Sequence, residues 1–370
     1  MNARVIVVAV APGSAMRHAI VSFLAMRALL ALAALGLAGA ALAHHSFIGR
    51  FDLATVAEIE GVVTDLAWRN PHAILSVRTT AADGAATNWS IETSSLTVLR
   101  RMGIEEGTIK VGDRIKLAGN PSASGKNEMY ARNVLLPDGR ELLLNVGLKP
   151  RWTQNAVGDE SLLMAQQGDP SAPELGIFRV WSHTRAIARL FPEATDPSFD
   201  IQSYPMTPAA RAALAKFDRA RDNPIANCVP KGMPTIMEAP YPFEFVHAAN
   251  GNVLLKIEEY DLERAIDMHS TAAPSGAAAT PLGYSVGRWD GKTLVVSTTR
   301  VSWPWFSQLG IPQSPSVAMV ERFTPTADGS RLDYELTVTD PVNFTRPVVL
   351  STHWFWLPNV HLMPYHCTPE

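Results

Sequence analysis

The chain has little of what marks most metalloproteins, nucleic-acid binders and common enzyme classes. It carries two cysteines, Cys228 and Cys367, among 370 residues. That is too few for the four-thiolate sets of a zinc ribbon or an iron–sulfur centre. A basic excess is also missing, since 32 Lys and Arg stand against 35 Asp and Glu. Without a basic patch there is no footprint for a phosphate backbone, which excludes nucleic acid as a partner. No Walker loop, dinucleotide fingerprint or H-E-x-x-H is present, which argues against an NTPase, a nicotinamide dehydrogenase and a zinc peptidase. The first 43 residues contain no acid at all, only Arg4, Arg17 and Arg27. No run is long enough for a spanning helix there, because the apolar stretch at 28–43 has sixteen residues where a bilayer needs about 20.

What is present at that end reads as an export leader. A charged start, an apolar middle and the closing Ala41-Leu42-Ala43 form a secretory signal with a peptidase site after Ala43. Residues 1–43 are therefore expected to be cleaved, which leaves His44 as the new terminus and no stable membrane insertion. The absence of Cys at the junction argues against a lipid anchor. Losing three Arg and no acid takes the formal charge from −3 to about −6, that of a soluble, mildly acidic periplasmic protein. In an oxidising compartment the two cysteines most simply pair, tying Cys228 to Cys367.

Strand signals dominate the mature chain. Residues 44–144 read as a small β domain. Strands are expected in "AEIEGVVTDLAW", "HAILSVRT" and "TNWSIET", then a helix capped by Ser94 in "SSLTVLRRMG", then strands in "VGDRIKLAG" and "EMYARNVLLPDGREL". Gly61 interrupts the first strand, as a bulge or sharp bend in a barrel requires. Three strands, a helix and two or more strands is the element order of an OB-fold. Residues 145–235 are rich in Pro and Ala and read as a connector. Its one clear helix spans 208–221, with Thr207 as cap and Pro208 at the first helical position. Residues 236–370 carry three X-Gly turns, Asn250-Gly251, Asp290-Gly291 and Asp328-Gly329, each between strand-like runs. This predicts an antiparallel barrel, lipocalin-like in outline, with a β-sandwich as the alternative. The fold class is thus mainly β, with an OB-like barrel, a helix-and-loop connector and a second barrel.

Two stretches carry resemblances. "AHHSF", the following "FD", "I-x-G-x-V" and Trp68-x-Asn70-Pro71-His72 make residues 41–144 resemble a family of secreted proteobacterial domains of unknown function. "NCVPKGMP", "LGYSVGRWDGKTLVVSTT", "VERF" and "TDPVNFTRP" make the C-terminal part similar to a second uncharacterised group of exported bacterial β domains. That group is expected to show R-x-I-x-M/T-D where this chain has Arg264-Ala265-Ile266-Asp267-Met268-His269, so His269 displaces an acid. Neither resemblance implies an activity.

Four constellations bear on chemistry. An N-terminal His44 offers an amine and its own imidazole nitrogen, which together chelate Cu(II). His45 or His72 would complete a three-nitrogen set, and imidazole suits copper. His361, Met363, His366 and Cys367 are soft or borderline ligands, but a Cys228–Cys367 bond removes the sulfur. Trp303 and Trp305 in "VSWPWF" either rim a ligand opening or fill a core. With Arg264 and His269 they are the candidate ligand-binding residues. Among the charges in strand-like runs, Glu258-Glu259, Arg264, Asp267, His269, Glu321-Arg322 and Asp340, neighbours on a strand face opposite ways. The reading is an exported binding protein, leaning against an enzyme, whose partner is a small apolar or aromatic-compatible molecule in the C-terminal barrel or another envelope protein. Copper handling at His44, His45 and His72 is the first alternative and an unassigned reaction in the C-terminal barrel the second.

Overall fold

The structure, a computed structural model, describes residues 50–145, 147–158, 176–182, 190–192, 199–218, 222, 228–357 and 360–368. The expected leader with its cleavage site, His44 and His45 lie outside the described residues.

Alternating apolar residues build the first barrel. β1 (Ala57–Ala67), β2 (Ile74–Thr80) and β3 (Ala86–Glu92) are followed by α1 (Leu96–Arg101), β4 (Arg114–Pro121) and β5 (Glu128–Leu135). β1 pairs antiparallel with both β2 and β4, and β3 pairs parallel with β5. The closed circuit β1-β2-β3-β5-β4 with a helix between β3 and β4 is OB topology. Inward residues such as Val63, Leu75, Val77, Ile91 and Leu117 are buried, each stabilising the barrel by about 1.5–3 kcal/mol. Gly61 is needed where β1 crosses β2 closely. A Cβ there would lie 2.5 Å from the Arg78 carbonyl oxygen, and the register shifts between Val63 and Asp65.

α1 starts one residue later than the sequence predicts. Ser95 caps it by accepting from Val98 N. The Ser94 hydroxyl is committed elsewhere, donating to Leu144 O at 2.8 Å. β6 (Glu141–Leu143) returns from β5 through the Asp138-Gly139 turn, and β7 (Ala156–Val157) adds to it in parallel.

The stretch expected as connector contributes a strand. β8 (Val180–Ser182) pairs with the last strand and with β9 (Phe243–His247), closing a nine-stranded barrel. α2 is Pro208–Leu214, with the Thr207 hydroxyl accepting from Ala210 N at 3.2 Å. It is shorter than expected, and residues 219–221 lie outside the described residues. β10 (Val253–Ile257), β11 (Leu262–Asp267), β12 (Tyr284–Asp290), β13 (Thr293–Thr299), β14 (Ala318–Pro325), β15 (Arg331–Thr339) and β16 (Val348–Trp356) complete the circuit. Three hairpins turn at the expected sites, with Gly251, Gly291 and Gly329 in the left-handed region. The barrel departs from a pure antiparallel meander at one place, where β11 and β12 run parallel. Residues 268–283 carry the chain back between them, the long crossover that a parallel pair requires.

The inside of this barrel is packed. Phe243 meets Trp354 edge-on at 4.8 Å, Phe245 meets Phe323 at 5.1 Å, and Tyr334 lies 4.8–4.9 Å from Phe323 and Trp354. The alternation in β16 explains this: Trp354 is buried while its neighbour Phe355 is 36% exposed. A lipocalin-like chamber would need these positions; here they hold interlocking rings.

Candidate functional site

Arg264 on β11 points into the barrel and is 2% exposed. Its guanidinium forks onto Glu321 of β14, with Nη1 2.9 Å from Oε1 and Nη2 on Oε2. Nε donates to Ser285 Oγ at 2.9 Å and Nη2 to Thr298 Oγ1 at 2.6 Å, while the Tyr334 hydroxyl donates to Glu321 at 2.9 Å. Burial works against the arginine's charge, but Glu321 outweighs it and raises the guanidinium pKa. Burial and the Glu321 charge push the Tyr334 phenol up. The fork satisfies itself inside the core, as a buried charge must.

His269 does not join it. It is exposed at the barrel mouth, its Nε2 3.0 Å from Asn250 O. The acid of that turn is Asp267. The Ser270 hydroxyl, the His269 amide and the Tyr284 hydroxyl hold its carboxyl well below the usual carboxylate range. Trp303 is 5% exposed and donates from Nε1 to Thr235 Oγ1 at 2.7 Å. Trp305 packs edge-on against Phe217 at 4.9 Å. Both tryptophans are set in core contacts. Of the charges that could have met in this barrel, Arg264 and Glu321 do. Arg322 points outward to Asp290 at 2.9 Å, and Asp340 accepts from Ser314 and Asn343 in a buried loop clamp.

Cys228 and Cys367 form a disulfide across 139 residues of sequence, so Cys367 offers no thiolate to the tail's histidines. His72 stands on the turn between β1 and β2. Its Nδ1 lies 2.8 Å from Thr93 O; a carbonyl only accepts, so Nδ1 is the donor in this contact. Nε2 is 3.6 Å from Glu92 Oε1, and Glu92 is ion-paired with Arg50. Among the described residues no group of three or more His, Cys, Asp or Glu side chains could hold a metal ion.

Sequence reasoning missed two features, and the first, a G-x-S-x-G, it takes to be absent. Gly283-Tyr284-Ser285-Val286-Gly287 has the G-x-S-x-G spacing of a hydrolase nucleophile elbow. In the structure Ser285 is buried within β12, with its hydroxyl taken by Arg264 and Thr298, not on a strand-to-helix turn as that elbow requires. The other feature is an open groove of about 570 Å³ on the outer wall of β14, β15 and β16, lined by Arg322, Thr324, Asp333, Glu335, Ser351 and His353 among others. Its size lies within the range of small-molecule pockets, about 300–1,000 Å³. Pairing sets its floor, with Thr324, Asp333 and His353 in one row and Arg322, Glu335 and Ser351 in the next. Asp333 is ion-paired to Arg331 at 2.9 Å and Arg322 to Asp290. Among the described residues Glu335 makes no ion pair, and the His353 ring meets Phe355 edge-on at 5.2 Å. Among the described residues the Glu335 carboxylate, the His353 imidazole and the Ser351 hydroxyl make no hydrogen bond, whereas Thr324 Oγ1 is bonded to Thr293 Oγ1 at 2.9 Å. Period-two alternation marks these residues as outward, but not that the wall curves into a groove.

These elements define a two-barrel β protein, an OB barrel and a nine-stranded barrel with a disulfide-tied C-terminal tail. Residues 31–130 match a family of unknown function (DUF6152), a match that runs through the OB barrel into the start of β5. No curated protein and no solved structure matches the chain.

Proposed function

We propose that this chain is an exported, non-catalytic binding protein that holds a small polar molecule on the outer wall of its nine-stranded barrel. The observation that carries this reading is the groove of about 570 Å³ in which Glu335 and His353 stand uncommitted. Two features support export: the leader-like residues 1–43 and the disulfide, a bond of oxidising compartments. Native mass spectrometry of the chain isolated from periplasm tests the reading. A bound small molecule is expected on the wild type and absent from a Glu335→Ala, His353→Ala double variant. The same molecule retained by that variant, or none on the wild type, overturns it.

A second reading is copper binding by a processed N-terminus with His72. It is favoured by one arrangement, in which Arg50 is fixed to Glu92, the carboxylate beside His72 Nε2. From Arg50 back to His44 is six residues, a reach of about 20 Å when extended. Protein starting at His44 and loaded with one equivalent of Cu(II) is expected to give a nitrogen-ligated spin-resonance signal that changes in His72→Ala. An identical signal in the variant contradicts the reading.

A further inference from the structure

The C-terminal tail, residues 360–368, lies along the seam between the two barrels and is held from both sides. From the nine-stranded barrel, the turn after β10 supplies two carboxylates. Glu258 Oε2 accepts from Met363 N at 2.9 Å, and Asp261 accepts from Tyr365 N at 3.0 Å. From the OB barrel, Asn70 donates to Tyr365 O and accepts from Thr368 N at 3.1 Å through its own carbonyl. Arg101 of α1 ion-pairs with Glu258 and also donates to His361 O at 3.1 Å. Tyr365 is the peg, buried between Tyr241 and Tyr260 with ring centroids 5.2 and 5.0 Å away. Burial lifts all three phenols' pKa values, so the peg stays neutral across physiological pH.

One covalent bond closes this arrangement, Cys228–Cys367. Both half-cystines are half-buried, and the tail residues His366 and Thr368 on either side of Cys367 are exposed, so a thiol can approach. Cys228 and His366 also have positive φ, 55° and 44°. That conformation is costly for residues with a side chain and persists only where the surroundings enforce it. Cys228 and the residue before Cys367 thus both sit in the left-handed region beside the bond.

We propose that Cys228–Cys367 is a redox latch, and that a dithiol of the cell envelope opens it, freeing the tail and loosening the seam between the barrels. A thiolate of the dithiol attacks Cys367 Sγ and forms a mixed disulfide, and Cys228 leaves as a thiolate that takes up a proton. The second thiol of the dithiol then attacks the mixed disulfide, and Cys367 leaves and is protonated. Two electrons and two protons pass to the cysteine pair, and the dithiol ends as a disulfide. Losing the tail deprives Asn70 of two partners, Glu258 of one and Asp261 of one. Asn70 lies two residues from His72, so the turn that carries this histidine loosens with it.

The test is hydrogen–deuterium exchange on the full chain, oxidised and after treatment with dithiothreitol, with mass measurement confirming that both thiols are free. Peptides covering 360–368 are expected to exchange at least tenfold faster after reduction, while peptides from β13, β14 and β15 keep their protection and reoxidation restores the tail. A Cys228→Ser, Cys367→Ser double variant is expected to behave as the reduced protein without reductant. Unchanged exchange in 360–368 after complete reduction overturns the latch. Loss of protection in β13–β15 together with the tail also overturns it, because the bond would then be a staple of the whole fold.

Discussion

Glu141 shows how one buried side chain organises its surroundings. Its carboxylate accepts from Asn133 Nδ2 and Arg151 N at 2.7 Å each, from Trp152 N at 2.9 Å and from Thr153 N at 3.1 Å. Burial opposes its charge, but the donors of Trp152, Arg151, Asn133 and Thr153 prevail and hold its pKa below the ordinary 4.5. A carboxyl depressed on folding contributes stability above its unfolded pKa and loses it as pH falls through the folded value. Glu141→Gln turns an acceptor into a donor facing amides and is expected to cost about 1–3 kcal/mol at neutral pH. The deficit should shrink as pH falls below 4.5, read from urea midpoints across pH. A deficit constant from pH 7 downwards would contradict this role. In the sequence Glu141 is visible only as part of a hairpin after Asp138-Gly139; three of its donors, the amides of Arg151, Trp152 and Thr153, come from a loop ten residues on, beyond any local pattern. Arg264 teaches the same lesson. Alternation places it and Glu321 each on one face of a strand, but only barrel closure makes those faces meet.

At the scale of elements, what the sequence makes legible is what depends on neighbours in the chain. The three X-Gly hairpins, the Thr207-Pro208 helix start and the OB element order follow from turn chemistry and period-two patterning. The parallel β11–β12 pair and strand β8 do not, because a two- or three-residue strand and a long crossover leave almost no periodicity to read. The α1 cap moves from Ser94 to Ser95 because Ser94 is claimed by Leu144, a residue fifty positions away. Gly61 is a case where a local signal was sound, since close approach of β1 to β2 leaves no room for a Cβ. Gly61→Ala is expected to destabilise the OB barrel by about 1–3 kcal/mol through forced backbone displacement, with exchange accelerated in β1 and β2 ahead of the nine-stranded barrel. A stability equal to wild type would mean that the strands part without cost.

For the whole molecule, composition and turn spacing point to two β-barrels, but not to what fills the second. The interior is closed by rings from β9, β14, β15 and β16, and Trp303 and Trp305 pack in core contacts. The proposed polar guest would therefore sit on the outer wall of the barrel, where Glu335 and His353 make no hydrogen bond among the described residues. The most direct measurement is the mass of the natively purified chain, wild type beside the Glu335→Ala, His353→Ala variant, under conditions that preserve non-covalent complexes. A discrete small-molecule adduct on the wild type alone is the expected result. An adduct of the same mass on both proteins, or on neither, contradicts binding in the groove.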